Sequence, residues 1–250
     1  MKAVILAAGM GTRIRPLSNE IPKAFIEIDG APLIIRSLEN LKSVGIKEVI
    51  IVIGYMKEYF KKTLGKQYKD MNIVYSLNNN YNKTGSMYSL SQTEGVIDDD
   101  ILLLESDLLY EKKALDVLVN SAELNEILVA PISGSGDEVF IIVNESGDLM
   151  NLGKNISEKN NAIGELVGIS KLSLDFLLKL YEKAREDYEN NENNYHYEEV
   201  IFKLSKTYPI KCKLINNLSW IEIDNMNDLK RAKEVIYPAI LAKEKKLTIK

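Results

Sequence analysis

Two glycines and several cations follow the first apolar segment of the chain, Ala3 to Leu6, which is typical of a short buried strand. Gly9 and Gly11 let backbone N–H groups approach an anion closely, because no Cβ stands in the way. A hydroxyl and two cations come directly after them: Thr12, Arg13 and Arg15. This order of residue types favours a loop that binds a nucleoside triphosphate over one that binds an uncharged ligand.

The spacing of this loop differs from the two commonest glycine-rich phosphate loops. Ile14 stands where a dinucleotide-binding G-x-G-x-x-G motif has its third glycine, and the sequence G-x-x-x-x-G-K-[ST] is absent. Glycine pairs also mark ordinary turns. Because Pro22 and Lys23 follow the threonine and the two arginines, the sequence favours a phosphate-binding loop over a plain turn.

The triphosphate predicted for this loop requires a divalent cation, and Mg²⁺ prefers carboxylate oxygens as ligands. Asp107 follows the apolar segment Ile101 to Glu105, at the carboxyl end of a predicted parallel strand, where open α/β sheets bind ligands. An aspartate in this place can instead cap a helix. Because Leu108 to Tyr110 continue as an extended segment, the sequence favours Mg²⁺ binding by Asp107.

Two further acidic residues alternate with apolar ones near the end of the chain, in the segment Trp220 to Asp224. Glu222 and Asp224 therefore share one face of a predicted strand. On a wholly solvated face such a pair would carry no function. Spacing alone leaves their role open.

Strand and helix patterns alternate over residues 1–125. Apolar segments predict strands at Val4 to Ala7, Glu48 to Ile53, Asn72 to Ser76 and Ile101 to Glu105. Helices are predicted at Pro32 to Val44, Tyr55 to Leu64 and Ser86 to Val96. This βαβ succession predicts an α/β fold with a Rossmann-like, mostly parallel sheet flanked by helices.

Turn residues separate shorter strand patterns in the second half, which predicts a small antiparallel β region over the nucleotide site. These strands are Ile127 to Pro131, Glu138 to Val143, Leu149 to Gly153 and Ile163 to Ile169. Helices are predicted at Ser173 to Asn190, Tyr197 to Lys206 and Met226 to Tyr237, and a last β pair at Lys211 to Ile215 with Trp220 to Ile223. We predict one domain over residues 1–250, with a nucleotide-binding half (1–125), an acceptor-binding half (126–240) and a tail (241–250) that could lead into a further domain.

The composition narrows the range of partners. The 250 residues are 46% hydrophobic and carry a net charge of −4 with no basic face, so nucleic acid is not an expected partner. The single cysteine excludes an intramolecular disulfide and favours a cytoplasmic location. Met1 enters a strand at once and no apolar run is long enough to span a membrane, so we expect neither a signal peptide nor a membrane partner. The oligomeric state cannot be predicted from the sequence.

The segments LAAGMGTRIRP (Leu6 to Pro16) and IPKAFIEIDGAPLI (Ile21 to Ile34) resemble the nucleotidyltransferase superfamily that makes nucleotide-activated sugars and alcohols. The likeness extends over nearly the whole chain. It implies that Arg13 and Lys23 stabilise charge on the phosphates during attack at the α-phosphorus, and that Asp107, Asp224 and Glu222 hold Mg²⁺. It further implies a set of nucleotide-binding positions: Leu6, Ala7, Ala8, Gly9, Gly11, Thr12, Thr84, Gly85 and Ser86.

Two further segments, NNNYNKTGSMYSL (Asn78 to Leu90) and ESDLLYEKKAL (Glu105 to Leu115), resemble the cytidylyltransferases that activate phosphocholine or 2-aminoethylphosphonate. The residues themselves leave CTP and UTP open, whereas this likeness implies CTP. Lys112 and Lys113 match the phosphonate branch, and two cations could hold a phosphonate dianion. Paired lysines are also common on solvated helix surfaces.

The amine end distinguishes the two acceptors. A quaternary ammonium is best held by an aromatic cage, whereas a primary ammonium donates to carboxylates or carbonyls. Tyr88 is available for the first purpose, and Glu138 and Glu165 for the second. Together with the lysine pair, these acids favour transfer of CMP from CTP to 2-aminoethylphosphonate.

Three alternatives remain at this point. Phosphocholine could be the acceptor of the same reaction. A sugar 1-phosphate nucleotidyltransferase would use the same chemistry with a hexose phosphate. A regulatory nucleotide-binding domain would usually have lost Lys23 or a metal carboxylate, and this chain retains both.

Overall fold

The computed structural model describes residues 1–190 and 192–248 of the chain. Its strands are β1 (Lys2–Ala7), β2 (Glu27–Ile28), β3 (Ala31–Pro32), β4 (Glu48–Ile53), β5 (Gln67–Tyr68), β6 (Met71–Leu77), β7 (Ile101–Glu105), β8 (Leu108–Tyr110), β9 (Glu126–Ala130), β10 (Phe140–Val143), β11 (Leu149–Gly153), β12 (Gly164–Leu172), β13 (Lys211–Leu214) and β14 (Trp220–Glu222). Its α-helices are α1 (Leu17–Glu20), α2 (Leu33–Ser43), α3 (Lys57–Leu64), α4 (Ser86–Ser91), α5 (Lys113–Val119), α6 (Leu174–Glu189), α7 (Tyr197–Ser205), α8 (Met226–Arg231) and α9 (Tyr237–Thr248).

Four parallel strands, in the order β7-β1-β4-β6, form the centre of the main sheet. Successive residues of β1 enter different cores, since Ala3 and Ile5 pack on one face of the sheet and Val4 and Leu6 on the other. A strand buried on both faces needs a continuous apolar run, which is the pattern read from the sequence. The prediction of a Rossmann-like, mostly parallel sheet flanked by helices is confirmed.

The sheet extends beyond β7 through the long strand β12, which runs antiparallel to β7, β9 and β10. Its pairing with β9 shifts register between Leu166 and Ser170, around Gly168, which has a φ of +79°. Such a bulge bends the strand and lets it pair with different neighbours at its two ends. Because β9, β10 and β12 join the central sheet, both halves of the chain contribute to one ten-stranded sheet.

The helices that cover this sheet are amphipathic. In α6, Ser173 Oγ accepts a hydrogen bond from the N–H of Phe176 at 3.2 Å and so caps the first turn. The buried residues of α6 recur at helical spacing along one face: Phe176, Leu177, Leu180, Tyr181 and Ala184. They pack into the core that also contains β1 and β7 side chains.

One predicted strand pair is wrong. Strand β13 lies parallel to β9, whereas β14 lies antiparallel to β8 in a separate small sheet. The apolar contacts explain the separation, because Ile221 of β14 packs with Leu109 of β8 and Ile223 in a third core, away from β13. This pairing places the residues that follow β14 beside the residues that follow β7.

The end of the chain also differs from the prediction. The helix expected to end at Tyr237 continues as α9 to Thr248, so most of the predicted tail (241–250) is helical and residues 249 and 250 lie outside the described residues. Pro238 is tolerated because it falls in the first turn of α9, after the wider turn at Ala232–Ile236. Within the described ranges, no helix combines the length and the apolar character needed to cross a membrane.

Candidate active site

A cleft of about 510 Å³ opens at the carboxyl ends of the parallel strands β1 and β7. Segments from both halves of the chain line it: the glycine loop after β1, the residues after β7, the loop at 133–139, the start of α7 and the residues from β14 to α8. Parallel strands present the loops that follow them at one common edge. The fold therefore brings residues far apart in sequence to one place.

Lys23 lies at the centre of the charged part of this cleft. Its Nζ is 2.5 Å from Asp107 Oδ2 and 2.6 Å from Asp224 Oδ1. Burial of the amine opposes its charge, but Asp107, Asp224 and Glu222 outweigh that effect and raise the pKa of Lys23. Lys23 therefore carries a fixed positive charge next to three carboxylates.

Three carboxylates converge beside this lysine. One oxygen each of Glu105, Asp107 and Glu222 lies within 4.8 Å of the others. Asp107 Oδ1 is buried and has no hydrogen-bond partner among the described residues. Burial, together with Asp107 and Glu105, raises the pKa of Glu222. Clustered carboxylate oxygens with an unpartnered lone pair are a donor set that fits a hard divalent cation.

This cluster differs in one member from the predicted ligand set. Asp224 is not in this group, and its two carboxylate oxygens pair with Lys23 and Arg13. Glu105 takes part instead, and it was not among the predicted ligands. The signal was present, since residues 105 and 107 are two apart and can share a face of an extended segment.

The glycine loop has the conformation that its sequence requires. Gly11 has a φ of +57°, and a Cβ there would lie 3.2 Å from Lys23 Cβ and 3.3 Å from Ser18 Cβ. Ser18 Oγ donates a hydrogen bond to the Gly11 carbonyl at 2.7 Å. Gly9 faces open space, with no heavy atom within 4 Å of a Cβ built on it. The loop is thus closed on the Lys23 side and open toward the cleft.

Arg13 connects this loop to the opposite wall. One guanidinium nitrogen donates to Asp137 Oδ2 at 2.5 Å, and the other lies 2.8 Å from Asp224 Oδ2. Lys154 pairs with the same Asp137 carboxylate. Arg13 and Lys154 line the mouth of the cleft. An anionic ligand could take the place of the Asp137 carboxylate beside these two cations.

Most of the predicted nucleotide-binding residues line the cleft, with one exception. The lining positions are Leu6, Ala8, Gly9, Gly11, Thr12, Thr84, Gly85 and Ser86. Ala7 packs into the core on the other face of the sheet. Gly85 lies against the backbone of Tyr195, and Ser86 Oγ accepts a hydrogen bond from the N–H of Tyr197 at 3.1 Å.

The predicted acceptor-binding residues fall into two groups. Glu138 and Glu165 line the cleft, and each accepts a hydrogen bond from a backbone N–H of the loop at 133–139: Glu138 from Gly136 at 3.1 Å and Glu165 from Ser133 at 3.0 Å. Burial raises the pKa of Glu165 to about 7. These two carboxylates shape the 133–139 loop.

The second group, Lys112, Lys113 and Tyr88, is not among the residues that line the cleft in the described part of the chain. Lys112 pairs with Asp116, and Lys113 Nζ donates to Asn217 Oδ1 at 2.8 Å. Both lysines lie at the start of α5, whose apolar residues are buried while the lysines stay partly or fully exposed. The Tyr88 hydroxyl accepts a hydrogen bond from Asn80.

Several cleft residues were not among the predicted site residues. They are Glu105, Asp137, Lys154, His196, Glu198 and Arg231. Most follow loops or begin helices in the second half, where no motif signals a function. Gly168 was one available signal, because a Cβ at this strand position would lie 2.8 Å from Glu105 Oε2.

Comparison with known proteins identifies the family. The nucleotidyl transferase family model matches residues 2–137, a range that contains the glycine loop, Lys23 and Asp107. The chain belongs to this family of enzymes.

Two curated relatives indicate the range of substrates within the family. The chain is 30% identical over 139 residues to CMP-5'-(3-aminopropyl)phosphonate synthase of Streptomyces rubellomurinus, a match that covers 54% of this chain and 22% of that protein. It is 26% identical over 250 residues to CTP:phosphoglutamine cytidylyltransferase of Campylobacter jejuni, which covers 92% of this chain and 98% of that protein. The first relative is therefore much longer than the region it shares with this chain.

A solved structure confirms the fold. The CTP:phosphocholine cytidylyltransferase of Streptococcus pneumoniae superposes with a TM-score of 0.78 at 23% identity, and the match covers 94% of this chain and 98% of that one.

Proposed function

We propose that this enzyme transfers CMP from CTP to 2-aminoethylphosphonate and releases pyrophosphate. The observation that carries the proposal is the position of Lys23 between Asp107 and Asp224, at the base of a glycine loop that is open toward the cleft. A fixed cation beside a carboxylate cluster suits a reaction in which charge on phosphate oxygens must be neutralised. The names of the curated relatives support a cytidylyltransferase and, in one of them, an aminophosphonate product.

In the proposed reaction, a phosphonate oxygen attacks the α-phosphorus of CTP and forms the new P–O bond. The bond from the α-phosphorus to the oxygen that bridges it to the β-phosphorus breaks, and pyrophosphate leaves with that electron pair. The nucleophile is already an oxyanion, so no general base is required, and positioning with charge neutralisation provides the catalysis.

The residues of the cleft divide this work. Lys23 stabilises charge at the α-phosphate, and the amides of the glycine loop with Arg13 bind the β- and γ-phosphates after Arg13 leaves Asp137. Asp107 and Glu222, joined by Glu105 or Asp224, would hold Mg²⁺. Mg²⁺ in this site would neutralise the transferred phosphoryl group and the leaving pyrophosphate.

The lining of the cleft favours a primary amine as acceptor. In the part of the chain that the structure describes, the aromatic side chains that line the cleft are Tyr81, His196 and Trp220. Tyr88, the residue predicted to form an aromatic cage, does not line it. A quaternary ammonium needs a cage of aromatic faces, and a primary ammonium needs acceptor oxygens, which are abundant here. Lys154 and Arg231 are cleft cations that could bind the phosphonate in place of Lys112 and Lys113.

The test is pyrophosphate release by the purified protein with Mg²⁺, CTP or UTP, and one of three acceptors. We expect CTP with 2-aminoethylphosphonate to give the highest kcat/KM. Higher kcat/KM with phosphocholine would retain the cytidylyltransferase and exclude the proposed acceptor. Turnover of glucose 1-phosphate with UTP or dTTP would favour the sugar 1-phosphate alternative, and nucleotide binding without turnover of any pair would indicate a regulatory domain.

A further inference from the structure

Glu198 is a cleft residue with an unused hydrogen-bond acceptor. It is the second residue of α7 and lines the cleft beside Ser86 and His196. Its Oε2 is buried and has no hydrogen-bond partner among the residues that the structure describes. A buried carboxylate oxygen without a donor is costly. Its presence in a substrate cleft points to a donor that arrives with the substrate.

Three other glutamates of the cleft already have hydrogen-bond partners, and a fourth, Glu222, belongs to the carboxylate cluster beside Lys23. Glu165 and Glu138 accept backbone N–H bonds from Ser133 and Gly136. Glu105 Oε1 accepts a hydrogen bond from the Tyr197 hydroxyl at 2.9 Å. Because these three carboxylates already accept hydrogen bonds within the protein, Glu198, with its unpartnered oxygen, is better placed to bind a cationic ligand.

Helix capping does not explain Glu198. Acidic residues are favoured in the first turn of a helix because of the helix dipole. The neighbouring Glu199 supplies this function from an exposed position, where its Oε1 accepts the His196 N–H at 2.9 Å and completes a capping box. The dipole does not require Glu198 to point into the cleft.

Glu198 lines the same cleft as Lys23 and the carboxylate cluster. Its neighbour Tyr197 bonds to Glu105, which belongs to the carboxylate cluster with Asp107. A cation at Glu198 would thus lie near the phosphate-transfer site, as the two-carbon spacer of the acceptor requires.

We propose that Glu198 binds the ammonium group of the acceptor and selects short aminophosphonates or phosphate monoesters that carry a primary amine. The inference rests on the proposed function and assigns its specificity to a residue of α7. In this proposal Glu198, and not Glu138 or Glu165, binds the amine, and the latter two residues hold the loop at 133–139.

The test compares two acceptors that differ only in the amine, 2-aminoethylphosphonate and ethylphosphonate. In Glu198→Gln we expect kcat/KM for 2-aminoethylphosphonate to fall about 10- to 100-fold, because a charge-assisted bond is lost. The KM for CTP and kcat/KM for ethylphosphonate should stay within about twofold of wild type, since neither substrate has the ammonium group that loses its partner. Glu199→Gln, which can still complete the capping box, is the matched control and should behave as wild type.

Equal losses with both acceptors would show a structural role for Glu198 and overturn the inference, as would unchanged discrimination. If Glu198→Gln unfolds, as judged by circular dichroism, Glu198→Asp with its shorter side chain must give the same selective loss. Wild-type inactivity with CTP and every acceptor would instead overturn the proposed function. Activity with CTP in wild type but no selective loss in the variant would overturn this inference alone.

Discussion

Lys23 is the residue on which the charges of the site converge. In Lys23→Ala, Asp107 and Asp224 lose the cation that they share, and the positive charge that we propose for the α-phosphate is removed. We expect kcat for pyrophosphate release to fall about 100- to 1,000-fold, as for removal of a preorganised charge-stabilising donor. Circular dichroism and the KM for CTP would separate this effect from loss of the fold or of binding.

The control for this variant is Lys113→Ala. Lys113 is exposed and its Nζ donates to Asn217, outside the cleft, so its loss should leave kcat within about twofold of wild type. Near-normal turnover in Lys23→Ala would exclude Lys23 from the chemistry. A selective loss of acceptor use in Lys113→Ala would restore the role that the sequence gave to the lysine pair.

Sequence spacing predicted the location of some site residues correctly and of others wrongly. Lys23 and Asp107 follow a glycine loop and a buried strand, and in α/β sheets such positions lie at the ligand edge. Lys112 and Lys113 follow Asp107 closely in sequence, but the start of α5 directs them away from the cleft. Glu198 could not be predicted, because the position of α7 depends on contacts such as that of the neighbouring Tyr197 with Glu105, 92 positions earlier.

Among the secondary-structure elements, the central and peripheral strands were predictable, but the pairing of the last two strands was not. Strands β1, β4 and β7 are buried on both faces and appear as continuous apolar runs. The partners of β13 and β14 depend instead on which core receives a few side chains, such as Ile221. The π-helical turn before Pro238 likewise has no local sequence signal that distinguishes it from a helix end.

The junction between α4 and the segment before α7 forms the wall of the cleft on the Thr84 side. Gly85 donates its N–H to the Asn193 carbonyl at 3.0 Å, and a Cβ at Gly85 would lie 1.9 Å from the Tyr195 carbonyl oxygen. Gly85→Ala should therefore separate these two segments. We expect it to lower the free energy of unfolding by about 1–3 kcal/mol, measured in urea.

Gly9→Ala provides the contrast, because a Cβ at Gly9 has no heavy atom within 4 Å. Its free energy of unfolding should match wild type, while the added methyl group, which faces the cleft, should weaken CTP binding. Equal stability of the two variants would show that the approach of Gly85 to Tyr195 does not hold the wall in place.

At the scale of the whole molecule, the site depends on cooperation between the two halves of the chain. Lys23, Asp107 and Asp224 come from three distant parts of the sequence, and the main sheet with the β8–β14 pair brings them together. The sequence predicted which residue types were needed, but the convergence required the pairing of β8 with β14, which was not predicted. Long-range strand pairing is set by side-chain packing across the fold and leaves little trace in local patterns.

Glu165 connects the stability of this assembly to pH. It lies on β12 between β9 and β10, is 2% exposed, and burial raises its pKa from an ordinary value of 4.5 to about 7, with Glu138 raising it further and Arg231 opposing. Between pH 4.5 and 7 the unfolded chain loses this proton while the folded protein keeps it. The unfolded state then binds fewer protons, so the free energy of unfolding falls as pH rises through this range, by up to about 3 kcal/mol from this group.

Glu165→Gln removes the ionisation and leaves an oxygen to accept the Ser133 N–H. We expect the variant to gain stability relative to wild type between pH 4.5 and 8, by about 1–3 kcal/mol, in urea unfolding at both values. Glu145→Gln, in an exposed turn, is the matched control. The free energy of unfolding of Glu165→Gln could instead differ from that of wild type by the same amount at both pH values. That result would show that the pKa of Glu165 is not raised by folding, so that its carboxylate is charged in the folded protein above pH 4.5. In the expected case, the loop at 133–139 is held by a carboxyl group that is largely neutral below pH 7.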